Sequence, residues 1–184
     1  MIGFIGLSHL GLNYSLATAT KGFDVVAFDP DAKLIEQLRR GSFPIAEPGF
    51  EPLFQQHRTR LRYTSDPAEL ARCDLVFYSL DVPTYASGAG DVAPLSALIE
   101  STLPKLVPSA TAVVLGQVAP GYTRTLAARH AARPGEIFYQ VETLVFGDAV
   151  RRALEPERYI VGAADPTQPL PAALRAWHAA FSCP

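Results

Sequence analysis

The sequence contains little of what several functional classes require. Only two of its 184 residues are cysteine, Cys73 and Cys183. Because they lie far apart and outside any Cys-x-x-Cys or Cys/His spacing, they suggest neither a disulfide framework nor a zinc site. The formal net charge is only −2, and acidic and basic residues are interspersed, so no basic face is offered to phosphate backbones or anionic lipid. We therefore expect no metal site and no nucleic-acid partner.

Long hydrophobic runs are also missing. The longest apolar stretches are about half of the roughly 20 residues that a membrane-spanning helix needs. The opening run, residues 1–6, lacks the basic flank and the small-residue cleavage site of a secretory signal. We therefore expect a soluble cytoplasmic protein with no membrane partner. Since 48% of the residues are hydrophobic, the chain can bury one sizeable core, and residues 1–184 are expected to form a single domain.

Short runs rich in Val, Ile and Phe alternate with longer segments of helical period. This alternation is typical of a doubly wound, Rossmann-like α/β fold, in which helices cover both faces of a mainly parallel sheet. Helices are predicted over about residues 9–21 and 31–40. Strands are predicted at roughly residues 1–6, 24–29, 60–64, 74–80, 111–117, 136–141 and 158–163.

Glycine and proline set the boundaries between these elements. Gly41 is predicted to close the second helix in a left-handed conformation, and Asp66-Pro67-Ala68-Glu69 is predicted to begin another helix. Several prolines interrupt residues 41–57, so we predict an irregular excursion over the sheet edge with a short apolar turn around Leu53 and Phe54. The loop from Tyr85 to Gly90 is predicted to be mobile.

A glycine-rich turn follows the first predicted strand directly. Gly6-Leu7-Ser8-His9-Leu10-Gly11 opens the first helix, and Asp29 ends the second strand 18 positions after Gly11. This is the dinucleotide-binding fingerprint, in which the diphosphate lies against the free amides of the helix. We expect Gly6, Ser8, His9, Leu10 and Gly11 to form this cradle, with weakened affinity because Ser8 replaces the second glycine. The alternative is a turn that only packs strand against helix.

Asp29 indicates which nicotinamide cofactor is bound. A carboxylate there would accept hydrogen bonds from the adenosine ribose and repel the 2′-phosphate of NADP, and no arginine follows within the next few residues. We therefore predict NAD as the cofactor. The alternative role for Asp29, compatible with the first, is a helix N-cap ahead of Pro30.

Further segments resemble the UDP-glucose/GDP-mannose dehydrogenase family, in order along nearly the whole chain. The opening unit, residues 2–12, is followed by Asp29 and Lys33 as in that family. Gly41-Ser42-Phe43-Pro44-Ile45-Ala46-Glu47-Pro48-Gly49 is similar to its Gly-x-x-Pro-Ile-x-Glu-Pro-Gly signature, which is far more specific than a glycine loop. Thr64-Ser65-Asp66 is similar to the family's threonine-aspartate pair.

The carboxyl ends of two later strands carry the resemblance further. Val82-Pro83-Thr84 is similar to the family's Val-Pro-Thr-Pro loop, with Tyr85 at the second proline and Asp91 beyond it. Residues 118–123 resemble its Ser-Thr-Val-Pro-Pro-Gly-Thr element, but Gly116 and Gln117 replace the serine and threonine. Besides the glycine-rich turn and Asp29, the resemblance implies cofactor contacts at Lys33, Leu80, Val82, Pro83, Thr84 and Gln117.

Residues 139–142 and the segment to Gly162 resemble the stretch that the family writes as Ser-Pro-Glu-Phe-x-x-Glu-Gly through Pro-Asp-Arg-Ile-Val-x-Gly. Glu142 is retained and is the one candidate catalytic residue, because a carboxylate beside the nicotinamide could move a proton or orient water. The alternative is a solvated or capping glutamate. The family's second glutamate is replaced by Phe146. His9 is expected to stack over the phosphate turn, and the other three histidines are expected at the surface.

The resemblance implies NAD-dependent oxidation of the C6 alcohol of a nucleotide sugar to the acid, in two hydride transfers. The family takes its lysine, asparagine and nucleophilic cysteine from a central helix and a third domain that follow this point. We therefore expect the chain to be an inactive, monomeric NAD-binding part of an enzyme that is a homodimer at full length. Cys73 is expected in the core and Cys183 as a structural or exposed thiol.

Two other functions stay open. The first is a divergent module that senses NAD or scaffolds a complex without catalysis, which the replacements at Ser8, Gln117 and Phe146 would suit. The second is another Rossmann oxidoreductase, such as a hydroxyacid dehydrogenase, that shares only the cofactor loop. The Pro-Ile-x-Glu-Pro-Gly segment argues against the second.

Overall fold

A computed structural model describes residues 1–85, 88, 90–133, 135–181 and 183. These residues form one seven-stranded sheet with helices on both faces. The strands are β1 (Ile2–Ile5), β2 (Val25–Phe28), β3 (Leu61–Thr64), β4 (Leu75–Tyr78), β5 (Thr111–Val114), β6 (Ile137–Gln140) and β7 (Val161–Gly162). The helices are α1 (His9–Thr20), α2 (Ala32–Arg39), α3 (Phe50–His57), α4 (Ala93–Thr102), α5 (Tyr122–Arg129), α6 (Ala149–Leu154) and α7 (Ala172–Ala180).

The strand order creates a crevice at the carboxyl end of β1. The order is β3-β2-β1-β4-β5-β6-β7, and all neighbours are parallel except β6 and β7. Because the chain winds outward in opposite directions from β1 and β4, the connections that follow these two strands diverge. Ligands of doubly wound folds bind at such switch points. The predicted fold class is confirmed, and the structure adds that β7 is antiparallel.

The strands at the centre of the sheet are buried on both faces. Every residue of β1, β2, β4 and β5 is buried, as expected for a parallel sheet covered by helices. On one face, Trp177 of α7 is fully buried, packs against Phe77 of β4 and donates its indole hydrogen to Thr18 of α1 at 3.0 Å. The first helix, which carries the glycine-rich turn, is thereby fixed to both the sheet and α7.

One local prediction needs correction, and for another the structure adds the helix type. The segment after Gly49 is a regular two-turn helix, α3, and not a short apolar turn. The prediction was wrong because Pro52 falls in the first turn of the helix, where its missing N–H removes no helical bond. The helix start predicted at Asp66 is confirmed: the Asp66 side chain accepts the Ala68 amide at 2.9 Å, and the helix that follows (Pro67–Arg72) is a 3₁₀ helix.

Other local predictions are confirmed or lie partly outside the described residues. Gly41 has a φ of +79° after the end of α2, the left-handed conformation predicted for it. The prediction of a mobile loop from Tyr85 to Gly90 falls partly on residues outside those described. His178 is not a surface residue: it is half-buried, and its Nε2 lies 2.7 Å from Oε1 of the buried Gln140.

Candidate dinucleotide site

The turn between β1 and α1 needs glycine at both ends. Gly6 has a φ of +92°, and a Cβ added there would lie 2.8 Å from the Cβ of Leu80. A Cβ on Gly11 would lie 2.0 Å from the carbonyl oxygen of Gly6. The first glycine therefore permits the bend, and the last permits helix and strand to approach, as the fingerprint requires.

Asp29 ties the end of β2 to this turn. Its Oδ2 accepts a hydrogen bond from the Leu7 amide at 2.8 Å, its Oδ1 accepts one from the Asp31 amide at 3.0 Å, and the residue is 8% exposed. The N-cap of α2 is Asp31, whose side chain accepts the Lys33 and Leu34 amides. Asp29 is therefore held at the crevice rather than at the helix start, and each of its oxygens has a further lone pair for a ligand.

The hydroxyl of Ser8 bridges the first helix to the segment after β4. It donates to the carbonyl oxygen of Ser79 at 3.2 Å and accepts the amide of Asp81 at 2.9 Å. The carboxylate of Asp81 in turn accepts a hydrogen bond from the Leu10 amide of α1, at 3.2 Å. Leu10 is in the first turn of α1, where amides have no partner within the helix. The Asp81 carboxylate therefore binds one of the amides that, in the fingerprint, bind the diphosphate.

His9 is held by Glu47, a residue of the Pro-Ile-x-Glu-Pro-Gly segment. The ring Nε2 lies 2.7 Å from Glu47 Oε1, and because an ionised carboxylate only accepts, Nε2 carries the hydrogen. The ring also lies 4.2 Å from that of Phe146, between centroids. His9 was expected to stack over the phosphate turn, whereas the contacts of its ring in the structure are with Glu47 and Phe146.

Glu47 is nearly enclosed and joins three segments. Besides His9, its carboxylate accepts the Gly147 amide at 3.0 Å and the Ala149 amide, at the start of α6, at 3.2 Å. Burial acts to raise the pKa of Glu47, but the hydrogen bonds from Gly147, His9 and Ala149 outweigh it, and the pKa is lowered. A charged carboxylate is therefore kept beside the phosphate turn.

Glu142 lies just beyond the end of β6 with both oxygens bound. Oε1 accepts the side-chain amide of Gln117 at 3.0 Å, and Oε2 accepts the Leu144 amide at 2.8 Å. Tyr14 of α1 is close enough that burial and then the Glu142 charge raise its pKa to about 12. Gln117, a predicted cofactor contact, and Glu142, the candidate catalytic residue, are thus in direct contact.

A second group of predicted residues lines a groove beyond β4 and β5. The groove has a volume of about 480 Å³, and the predicted residues Val82, Thr84 and Gln117 lie in its wall, together with Tyr139. Thr84 pairs with Gly90 in an antiparallel bridge, and the Pro83 carbonyl accepts the Asp91 amide at 2.7 Å. The predicted contacts therefore fall into two adjoining parts, the turn and this groove.

Two further predicted residues, Leu80 and Lys33, differ in their relation to the turn. Leu80 packs directly on Gly6 and, through its carbonyl, on Gly116, where an added Cβ would lie 2.8 Å from that oxygen. The Lys33 side chain is exposed in the first turn of α2.

Two acidic residues of the site were not predicted from the sequence. Asp81 was missed, and Glu47 was given no role in the site. The available signal for Asp81 was an acid directly before the Val-Pro-Thr segment, and the signal for Glu47 was the glutamate of the signature.

The two thiols are not placed for nucleophilic chemistry at this site. Cys73 is fully buried, as predicted, and burial raises its pKa to about 12. Cys183 is partly exposed near the end of the chain. Among the described residues, no group of three His, Cys, Asp or Glu side chains could hold a metal ion. In the same part of the chain, no helix is long and apolar enough to cross a membrane.

Comparison with solved structures gives the same fold throughout. A UDP-glucose dehydrogenase from Pyrobaculum islandicum superposes with a TM-score of 0.86 at 26% identity, covering 100% of this chain and 44% of that one. A GDP-mannose dehydrogenase from Pseudomonas aeruginosa, solved as a ternary complex, gives 0.82 at 22% identity over 100% and 45% of the two chains. At 22% identity, the likeness to the GDP-mannose dehydrogenase concerns the fold alone.

Comparison with curated sequences gives several UDP-glucose 6-dehydrogenases among the relatives. The UDP-glucose 6-dehydrogenase YwqF of Bacillus subtilis is 29% identical over 173 residues, covering 89% of this chain and 39% of its own. The UDP-glucose 6-dehydrogenase of Pseudomonas aeruginosa is 29% identical over 172 residues, covering 88% and 38%. The chain thus spans about two fifths of the length of these relatives.

A family model covers nearly the whole chain. The model described as "UDP-glucose/GDP-mannose dehydrogenase family, NAD binding domain" matches residues 1–182. The matched range includes the glycine-rich turn, Asp29, the Glu47 segment and Glu142. The chain therefore belongs to the UDP-glucose/GDP-mannose dehydrogenase family, as an NAD-binding domain of that family.

Proposed function

We propose that the chain is the NAD-binding part of a nucleotide-sugar 6-dehydrogenase, which oxidises the C6 alcohol of a UDP- or GDP-sugar to the carboxylate. Converting a primary alcohol to a carboxylate removes two hydrides and adds one water oxygen. Bound NAD supplies the hydride acceptor, one molecule for each hydride. The observation that carries the proposal is the turn from Gly6 to Gly11 beside Asp29 at the switch point of the sheet.

The residues present fit an NAD molecule at this crevice. The close approach of Gly11 to Gly6 sets the helix start against β1, so the first amides of α1 face the crevice with no helical partner. The Asp29 carboxylate is fixed by the Leu7 and Asp31 amides and keeps acceptor capacity for the two ribose hydroxyls. We infer that the amides hold the diphosphate and that Asp29 holds the adenosine ribose.

The same carboxylate selects NAD over NADP. A 2′-phosphate would bring a second negative charge against Asp29, which is almost buried, where charge repulsion is less screened than in water. The guanidinium of Arg39, at the end of α2, donates to the Tyr63 carbonyl at 2.9 and 3.0 Å.

We propose that Glu142 handles protons or orients water on the nicotinamide side. Its carboxylate is positioned by Gln117 and by the Leu144 amide beyond the end of β6. A base that removes the alcohol proton, or that orients the water of the second oxidation, needs such a fixed and partly accessible carboxylate. Both oxygens keep acceptor capacity for that work.

The sugar chemistry is proposed to need residues beyond those present in this chain. Cys73 is buried with a raised pKa, and the thiolate is the reactive form of a cysteine. The family resemblance attributes the lysine, asparagine and cysteine of the reaction to later segments. We propose that residues 1–184 form a single domain, monomeric on its own. Its cytoplasmic location stays a prediction.

Calorimetric titration with NAD, NADP and UDP-glucose tests the proposal. We expect weak to moderate NAD binding, at least tenfold weaker NADP binding, and no NADH formation on addition of UDP-glucose. Failure to bind NAD would contradict the proposal. Joining the chain to the later segments of a family member and recovering NADH formation with a UDP- or GDP-sugar would support the enzymatic role. Binding of NAD without turnover in that fusion would favour a non-catalytic module.

A further inference from the structure

Asp81 places a negative charge where a diphosphate is expected. It is the third residue beyond β4, and one of its carboxylate oxygens lies 3.2 Å from the Leu10 amide in the first turn of α1. Carboxylates and phosphates are both favoured at a helix N-terminus, because the amides point outward and the helix dipole is positive there. The two groups are therefore alternative ligands for the same amide.

Ser8 fixes the backbone that carries this carboxylate. Its hydroxyl accepts the Asp81 amide at 2.9 Å and is itself oriented by donating to the Ser79 carbonyl at 3.2 Å. A glycine at position 8, which the fingerprint prefers, could make neither bond. The departure at Ser8 and the position of Asp81 are thus one structural unit.

The contact between Asp81 and Leu10 can be broken without unfolding. The distance of 3.2 Å is at the long end of the hydrogen-bond range, and Asp81 is exposed, so its carboxylate can turn into solvent. If it stayed in place, it would face the diphosphate at close range, where two like charges repel.

We propose that Asp81 is an internal competitor for the diphosphate of NAD and sets the cofactor affinity of this site. The carboxylate leaves the Leu10 amide when the cofactor binds, and the work of displacing it weakens binding. The inference rests on the proposed function, because it requires the diphosphate to lie at the start of α1. It adds that this chain binds NAD less tightly than the turn and Asp29 would allow.

The test compares Asp81→Asn with wild type by calorimetric titration of NAD and of ADP-ribose, which carries the same diphosphate without the nicotinamide. Asp74→Asn is the matched control. Asp74 is an exposed aspartate that directly precedes the first residue of β4, whereas Asp81 follows the last one, and it pairs with the Met1 amino group. Circular dichroism melts establish that all three proteins fold. We expect Asp81→Asn to bind both ligands roughly five- to thirtyfold more tightly, as loss of one like charge near a protein surface allows, and Asp74→Asn to match wild type.

Salt gives a second readout. Raising the ionic strength screens the repulsion between Asp81 and the diphosphate. The NAD affinity of Asp81→Asn divided by that of wild type should therefore decrease as the KCl concentration is raised. If Asp81→Asn binds NAD with unchanged or weaker affinity while wild type binds, the inference is overturned and the proposed site stands. If neither protein binds NAD or ADP-ribose, both the inference and the proposed site are overturned.

Discussion

His9 and Glu47 are joined by a hydrogen bond of 2.7 Å between the phosphate turn and the Pro-Ile-x-Glu-Pro-Gly segment. The same carboxylate binds the amides of Gly147 and Ala149, so one buried side chain holds the start of α1 and the start of α6 together. The Pro-Ile-x-Glu-Pro-Gly segment therefore links the glycine-rich turn to the start of α6. We call the contacts of Glu47 with His9, Gly147 and Ala149 the Glu47 clamp.

The first prediction concerns this clamp. Replacing Glu47 by glutamine keeps the shape but replaces one acceptor oxygen with a donor, which then faces backbone N–H groups. We expect Glu47→Gln to lower the free energy of unfolding by about 2–3 kcal/mol, measured by urea denaturation. Glu51→Gln, on the exposed side of α3, is the control and should change it by less than about 0.5 kcal/mol.

The pH dependence gives a second check on Glu47. Its pKa is lower folded than unfolded, so its stabilising contribution is present above the unfolded pKa, about 4.3. That contribution is lost as the pH falls through the folded pKa. The difference in Tm between wild type and Glu47→Gln should therefore shrink below about pH 4. A difference that stays constant from pH 7 to pH 3 would contradict this role.

The elements that depend on local pattern were predictable, whereas the contacts that shape the site were not. The buried strands and the Gly6 to Gly11 turn have short-range signals, since β-branched runs and glycine spacing are visible directly in the sequence. The clamp from Glu47 to Gly147 joins residues 100 positions apart, and no pattern along the chain indicates which carboxylate meets which amide.

Asp81 shows the same limit at closer range. It precedes the recognisable Val-Pro-Thr segment by one residue, but its significance depends on the parallel pairing of β1 with β4, which brings position 81 to the start of α1. The antiparallel direction of β7 could not be predicted either. Its two residues, Val161 and Gly162, carry too little pattern to distinguish parallel from antiparallel pairing.

The second prediction tests the selectivity of Asp29. Asp29→Asn keeps the size of the side chain and removes the charge that repels a 2′-phosphate. We expect NAD binding to weaken about tenfold, since a charge-assisted hydrogen bond becomes a neutral one, while NADP binding changes little or improves. Calorimetric titration of both cofactors measures the ratio. Equal affinity of wild type for NAD and NADP would remove the role given to Asp29.

The third prediction concerns Ser8. Ser8→Gly removes both bonds of the hydroxyl and adds backbone freedom, so stability should fall by about 1 kcal/mol in urea denaturation. NAD binding should nevertheless tighten, because the Asp81 backbone is released. In the double variant with Asp81→Asn, the gains in NAD affinity should be less than additive, because both changes act on the same contact, that between Asp81 and the Leu10 amide. Fully additive gains would show that the two residues act separately.

The fourth prediction uses the two thiols. Cys73 is fully buried and its pKa is raised to about 12, so a thiol reagent at pH 8 should leave it unmodified while Cys183 reacts. Counting thiols with Ellman's reagent should give one per native chain and two in guanidinium chloride. Cys183→Ser should then give almost none in the native state. Rapid labelling of Cys73 in that variant would mean that the packing around β4 opens readily.

The fifth prediction concerns the burial of His178. Burial lowers its pKa to about 4, against about 6.5 in the unfolded chain. The unfolded state therefore binds the proton more readily between these values, and the stability present above pH 6.5 declines as the pH falls towards 4. His178→Gln can still donate to Gln140 but cannot titrate, so wild type should lose about 2 kcal/mol more than this variant between pH 7 and pH 5.

Thermal melts at half-unit steps of pH measure this loss. His57→Gln at the end of α3, which leaves the contact between His178 and Gln140 intact, is the control and should follow the wild-type curve. If wild type and His178→Gln lose stability in parallel over that range, protonation of His178 does not oppose folding. The hydrogen bond to Gln140 would then have to survive with a charged ring beside the fully buried Trp177.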